Sequence, residues 1–357
     1  MRFCHPHATR QLLGQARNWH AMAFLAGSIL ACGCGFSQAG EGSSTRSLWA
    51  ASSSEYPGKD CAQSTGATAV ETHGAVGVVD ERSRKRQALI KLLSYQAGWK
   101  LHETAHYFIV TTVEDSAFVS ELKQRCEGIR AAIRKDFPHP DLDPTPVNTA
   151  PNVIRVCRDR DEFNRYGGRA DSNGYWDSAG RELVLFDDKA VGGRAITWAA
   201  LNGTVWLEYI ATLHGEPSPP PWFLLGHSDY FSGFVLKDGE YQIKPFDWRQ
   251  RQAQALIREK KALSIGDLLR LSPEAFHGGG SQQLDSGELY ALTWSFIWFL
   301  RRGASEPSNW NAAWDGILDK WWGTWLETRD AGSAIESGFA GVDWEALERA
   351  WAEFTLK

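Results

Sequence analysis

At 357 residues, with 43% apolar content, the chain is long enough for one large domain or two ordinary ones and has ample material for a core. A formal charge of −5 excludes the broad basic footprint of a nucleic-acid-binding protein. The short basic run Arg82-Ser83-Arg84-Lys85-Arg86 reads as the solvated face of a helix.

Arg2, Arg10 and Arg17 precede an apolar run over residues 21–31 that is too short for a permanent span, so residues 1–39 are expected to be a secretory leader. Small residues at Ser37 and Ala39 suit cleavage after Ala39, whereas Ile29-Leu30-Ala31-Cys32 resembles a lipoprotein box and leaves lipid attachment at Cys32 or Cys34 open. The destination is then periplasmic, extracellular or the outer membrane. Residues 40–79 are rich in Ser, Thr and Gly and are expected to be a disordered tether, with one folded region over 80–357 that opens on an amphipathic helix at 80–93.

His102-Glu103-Thr104-Ala105-His106 matches the helical zinc motif letter for letter. It runs into Tyr107-Phe108-Ile109-Val110-Thr111-Thr112, an aromatic and β-branched stretch that favours a strand. On an extended chain the two imidazoles would share a face roughly 13 Å apart, at about 3.3 Å per residue, and would not grip one ion. Glu127, in a helix expected over 116–135, is the candidate third ligand if the motif is active. The preferred expectation is a strand end with both histidines partly exposed.

Further strands are expected at 153–157 and 183–186. Removal of the leader leaves Cys61, Cys126 and Cys157. In an exported protein Cys126 and Cys157 are the pair expected to bridge, three free or buried thiols being the alternative. From Ala195 onward the pattern is helical, with segments at 196–213, 222–236, 249–260, 264–271, 287–302, 310–325 and 343–354. The stretch Gly215-Glu216-Pro217-Ser218-Pro219-Pro220-Pro221 must break the first two of these apart. The fold class expected is α+β, a small mixed β-sheet followed by a mostly helical half.

The stretch from Leu201 to Phe231 resembles the thermolysin-clan (gluzincin) metalloprotease domain, in the peptidase-MA-like form found in secreted bacterial proteins. That family carries His-Glu-x-x-His-Gln-Tyr-Ile on one helix and Trp-Phe-Asn-Glu-Gly-His-x-Asp-Tyr-Phe on the next. Tyr209-Ile210 and Gly226-His227-Ser228-Asp229-Tyr230-Phe231 match without a gap. The resemblance extends over about residues 96–357, through Arg155 to Phe163, Gly174-Tyr175-Trp176 and Glu182 to Asp187 as strand segments, and through Tyr290 to Leu300 as the helix backing the site. It places the first ligand at Gly203, the catalytic Glu at Thr204, the second ligand at Leu207 and the third at Leu225. None offers a zinc donor, and Thr204 cannot serve as a carboxylate base.

The resemblance therefore implies a degenerate peptidase with no zinc and no other cofactor, leaning away from enzyme activity. Its cleft residues would be Glu208, His227, Asp229, Tyr230 and Tyr290, and its partner a polypeptide or cell-envelope component. Competing expectations are a zinc peptidase built on the His102 motif, a rewired site using His227, Asp229 and His214, and a structural envelope component whose cleft is filled by its own side chains. For His227 and Asp229 a hydrogen-bond network is the preferred role. The 17 tryptophans fall at helical spacing and read as core rather than ligand platform. Asn202-Gly203-Thr204 is a glycosylation sequon inside a helix and is discounted, and Gly278-Gly279-Gly280 reads as a flexible connector.

Overall fold

The structure is a computed structural model that describes residues 76–138, 151–168, 172–189, 194–279, 284–305 and 310–357. The expected leader, the cleavage point after Ala39, Cys32, Cys34, Cys61 and all but the last few tether residues lie outside the described residues. The fold is α+β. Helix α1 (Val76–Leu93) precedes β1 (Lys100–Glu103), β2 (Tyr107–Thr111), α2 (Ser116–Asp136), β3 (Asn152–Cys157), α3 (Arg160–Arg165), β4 (Gly174–Asp177) and β5 (Glu182–Phe186). These strands make one mixed sheet in the order β1-β2-β3-β5-β4, parallel from β2 through β3 to β5 and antiparallel at both edges.

The sheet is apolar on both faces because both are covered. Ile109, Ile154, Val156, Leu183 and Leu185 point into the main core with α2, whose Phe118, Leu122, Cys126, Ile129 and Ile133 recur at helical spacing. Phe108, Val110 and Val153 point the other way, against Leu89 of α1, and Val184 and Phe186 join Phe163 of α3 there. Asp115 starts α2 by accepting from the amides of Ala117 and Phe118.

The second half stacks helices on the inner face of the sheet. Helix α4 (Ala195–His214) is buried without interruption over residues 201–210, so it is enclosed on every side, its apolar side chains interrupted by Asn202, Thr204 and Glu208. It ends at Gly215 (φ +60°), and α5 (Pro221–Ser232) begins with a proline at its first position, where the missing amide costs nothing. Helices α6 (Asp247–Arg258), α7 (Ile265–Leu269), α8 (Ser286–Arg302), α9 (Ile317–Thr328), α10 (Ala331–Gly338) and α11 (Trp344–Leu356) complete the core, α8 opening on an Asp285/Glu288 capping box. Trp206, Trp222, Trp294, Trp321, Trp325 and Trp351 are all fully buried. No helix among the described residues is long and apolar enough to cross a membrane.

Five expectations are corrected. The helix expected over 222–236 stops at Ser232, and β6 (Val235–Lys237) and β7 (Glu240–Gln242) form a hairpin turned by Asp238 (φ +53°) and Gly239 (φ +85°). The helix expected over 310–325 is split by Gly316 (φ +76°) into a short 3-10 turn and α9. Residues 160–163, expected within a strand segment, open α3 instead. Gly278 and Gly279 close a π-helical turn rather than a free loop. The expected Cys126–Cys157 bridge is absent: both thiols are free and buried, Cys126 in the core under α2 and Cys157 in the cluster on the opposite face of the sheet. Burial raises both thiol pKa values, that of Cys157 to about 12. Alkylation followed by mass spectrometry should leave both unlabelled in the native protein and label both after denaturation.

Candidate functional site

Two small serines set the contact between α4 and α5. Ser228 Oγ donates to the carbonyl of Gly203 at 3.2 Å, and Ser232 Oγ donates to the carbonyl of Ala199 at 3.0 Å. The helices therefore run antiparallel here, and Leu207, one turn beyond Gly203, and Leu225, one turn before Ser228, continue along the same contact. Both leucines are buried in the main core. A Cβ at position 203 would lie 2.5 Å from Ser232 Oγ and 2.8 Å from Ser228 Oγ, so glycine is what lets the helices approach. Thr204 looks elsewhere, toward Gly174 of β4, and its hydroxyl donates back to the carbonyls of Ala200 and Leu201. The indole of Trp206 donates to the carbonyl of Leu224 at 2.7 Å and closes the contact.

Glu208 faces the sheet instead. Its carboxylate accepts from Tyr107 Oη at 2.9 Å, Arg130 Nη1 at 3.3 Å, Thr212 Oγ1 at 3.2 Å and Asn152 Nδ2. It is 1% exposed, so these donors stand in for water. Burial and the neighbouring carboxylate hold the Tyr107 phenol well above its ordinary pKa, which keeps it a donor.

His227 and Asp229, two residues apart on α5, point to different surroundings. The His227 Nδ1–H donates to the carbonyl of Phe223 at 2.8 Å, and Nε2 accepts from Arg301 Nε at 3.0 Å. Asp229 Oδ2 lies 2.5 Å from Arg249 Nε; burial outweighs this ion pair and raises the carboxyl to about pKa 6. The guanidinium of Arg249 also covers the ring of Tyr290 at 4.9 Å. Tyr230 Oη accepts from Arg302 Nη2 at 3.0 Å. His214 ends α4 edge-on to Trp322 and Trp325. The three residues of the relocated-ion reading therefore have separate partners.

The His102 motif is not helical: His102 lies at the end of β1, as expected, and His106 in the turn before β2, both partly exposed, and its three chemical groups diverge. Glu103 pairs with Arg86 at 2.5 Å and Arg82 at 3.5 Å on α1. His102 lies where burial and nearby Lys123 lower its pKa. His106 Nδ1 is 2.5 Å from Glu127 Oε2, and its backbone N–H donates to the other carboxylate oxygen at 2.8 Å. These bonds offset the burial of Glu127 and hold its carboxyl at about pKa 2. Glu127, considered from the sequence only as a third zinc ligand of both histidines, meets His106 in the structure. Among the described residues no three His, Cys, Asp or Glu side chains are placed to share one ion.

Arg130, Asn152, Arg249 and Arg301 are the residues that sequence reasoning missed. Their only signal was a charged or amide group set in a segment that folding buries. Asn202 is fully buried, donating to the carbonyl of Phe234 at 3.0 Å, which removes it as a glycan acceptor. An open cavity of about 490 Å³, floored by Leu263, Leu271, Ala275 and Leu284, contains none of the residues discussed above. Comparison with known protein families and with curated proteins finds no match.

Proposed function

We propose that the protein is an exported, non-catalytic pseudo-peptidase that binds a polypeptide or cell-envelope component. What supports this is the α4–α5 contact: at the positions where the gluzincin pattern carries its donors, Gly203 is packed against Ser228 and Ser232, and Leu207 and Leu225 are both buried in the same core. Water activation needs an open metal position and a base, and hydrocarbon with hydrogen-bonded serines supplies neither. A partner then binds on another surface, because this seam is closed. The competing reading, a zinc peptidase at the His102 motif, draws on the contact of Glu127 with His106. Its general base, however, is tied to two arginines of α1.

Full-length protein purified without chelators should carry substoichiometric zinc by elemental analysis and show no chelator-sensitive cleavage of casein. Stoichiometric zinc that vanishes in a His102→Ala/His106→Ala double variant would move the chemistry to the hairpin and overturn the proposal.

A further inference from the structure

His227 is completely buried and has no place for a second proton. Its ring is enclosed by Phe137, Trp206 and Phe223 at centroid separations of 5.1, 5.2 and 4.3 Å. Both nitrogens are engaged: Nδ1–H donates to the Phe223 carbonyl, and Nε2 is the acceptor for Arg301 Nε. The network thus dictates the neutral tautomer. Arg301 in turn forms an ion pair at 3.2 Å with Asp136, the last residue of α2, and its guanidinium covers the Phe137 ring at 4.7 Å. A single imidazole therefore ties α5 to α8, and through α8 to the end of α2.

The surrounding charges do not favour an imidazolium. From α8 come Arg301 and Arg302, the latter bonded to Tyr230 of α5. From α2 comes Asp136, placed on the guanidinium rather than on the ring, and from α9 comes Asp319, whose field also acts on Arg301. On the α4 side the neighbour is Trp206, and Glu208 is committed to the Tyr107 network. Asp229 is committed to Arg249.

We infer that His227, Arg301 and Asp136 form an acid-released latch, in which the neutral imidazole holds α8 and the end of α2 against α5 and its protonation lets them go. A proton on Nε2 removes the acceptor of Arg301 Nε and puts two cations at hydrogen-bond distance in a dry pocket. Relief requires Arg301 to swing outward with Asp136, uncovering Phe137 and the aromatic rings behind it. Burial first, and Arg301 second, hold the imidazole well below its ordinary pKa. The sign follows from that depression: the latch is at full strength above the unfolded value of about 6.5, weakens as the pH falls below it, and is lost as the pH falls through the depressed value of the folded state.

The test titrates full-length protein from about pH 7.5 to about pH 4, following binding of 1-anilinonaphthalene-8-sulfonate, tryptophan emission and far-ultraviolet circular dichroism. The expected result is a rise in dye binding and a red shift in the acid part of this range, well below the ordinary histidine pKa of about 6.5, with helical signal retained. His227→Gln keeps one donor and one acceptor but does not titrate, and should move that transition down by about one pH unit or abolish it. An unchanged transition in H227Q, or no transition in the wild type, overturns the latch. If H227Q does not fold at neutral pH, the His227 ring resonances of the wild type decide: titration coincident with dye binding upholds the latch, and titration without it overturns it.

Discussion

Replacing Glu208 by alanine is expected to lower the unfolding free energy by about 3–5 kcal/mol, the range for breaking a buried charge network by removing one partner. The carboxylate is the shared acceptor of Tyr107, Arg130, Asn152 and Thr212, and both it and Tyr107 are essentially inaccessible to water. Without it, Arg130 keeps its position over the rings of Tyr107 and Tyr209 but loses its counter-charge, with its side chain only 12% exposed. The phenol of Tyr107 loses its acceptor too, and each such orphan adds about 1–3 kcal/mol. Glu208→Gln retains an oxygen for two of the donors and should lose less. Urea denaturation monitored by circular dichroism gives the comparison. A Glu208→Ala loss below about 1 kcal/mol would show the network to be solvated and the packing of α4 on the sheet to be looser than described.

Glu208 also shows where local pattern runs out. Its position on an apolar helix was legible, and so were α2, β2, β3, β5, α4, the start of α5 and α8, because hydrophobic period, prolines and β-branched runs all act within one element. Its partners were not legible. Arg130 and Asn152 lie 78 and 56 residues away, and Arg301 lies 74 from His227. Which helix face meets which strand is decided by packing, and a single sequence carries no pairing information. At the His102 motif the strand end with two partly exposed histidines was legible, and the turn that follows it was not. Composition pointed to extended chain, but the turn at Ala105 and His106 is held by Arg82 of α1 on the carbonyls of Thr104 and Ala105, and by Glu127 of α2 on His106. The hairpin after α5 was a different kind of miss: Asp238-Gly239 is a local signal for a turn, overlooked because the apolar Phe234-Val235-Leu236 extended the helical period past Gly233.

Placing the first ligand of the gluzincin pattern at position 203, as Gly203→His, is expected to disrupt the α4–α5 seam rather than to create a metal site. The first side-chain carbon already falls 2.5 Å from Ser232 Oγ, 2.8 Å from Ser228 Oγ and 3.1 Å from the Ser228 carbonyl. The two hydroxyls cannot rotate away freely, because each is bonded to an α4 carbonyl and Ser232 also bonds Ser228 at 2.9 Å. Gly203→Ala separates the contributions: overpacking costs about 1–3 kcal/mol, while exchanging glycine for alanine inside a helix returns about 1 kcal/mol, so the net loss is modest. Histidine adds a ring to the same collision with a smaller propensity gain, and its loss should exceed about 3 kcal/mol, enough to appear as insoluble protein or a collapsed melting temperature. Addition of Leu207→His and Leu225→Glu should not rescue it, since both groups would then be buried in the seam without partners. A triple variant that melts like the wild type and binds one zinc would mean that α4 and α5 part freely, so that the seam is a cleft.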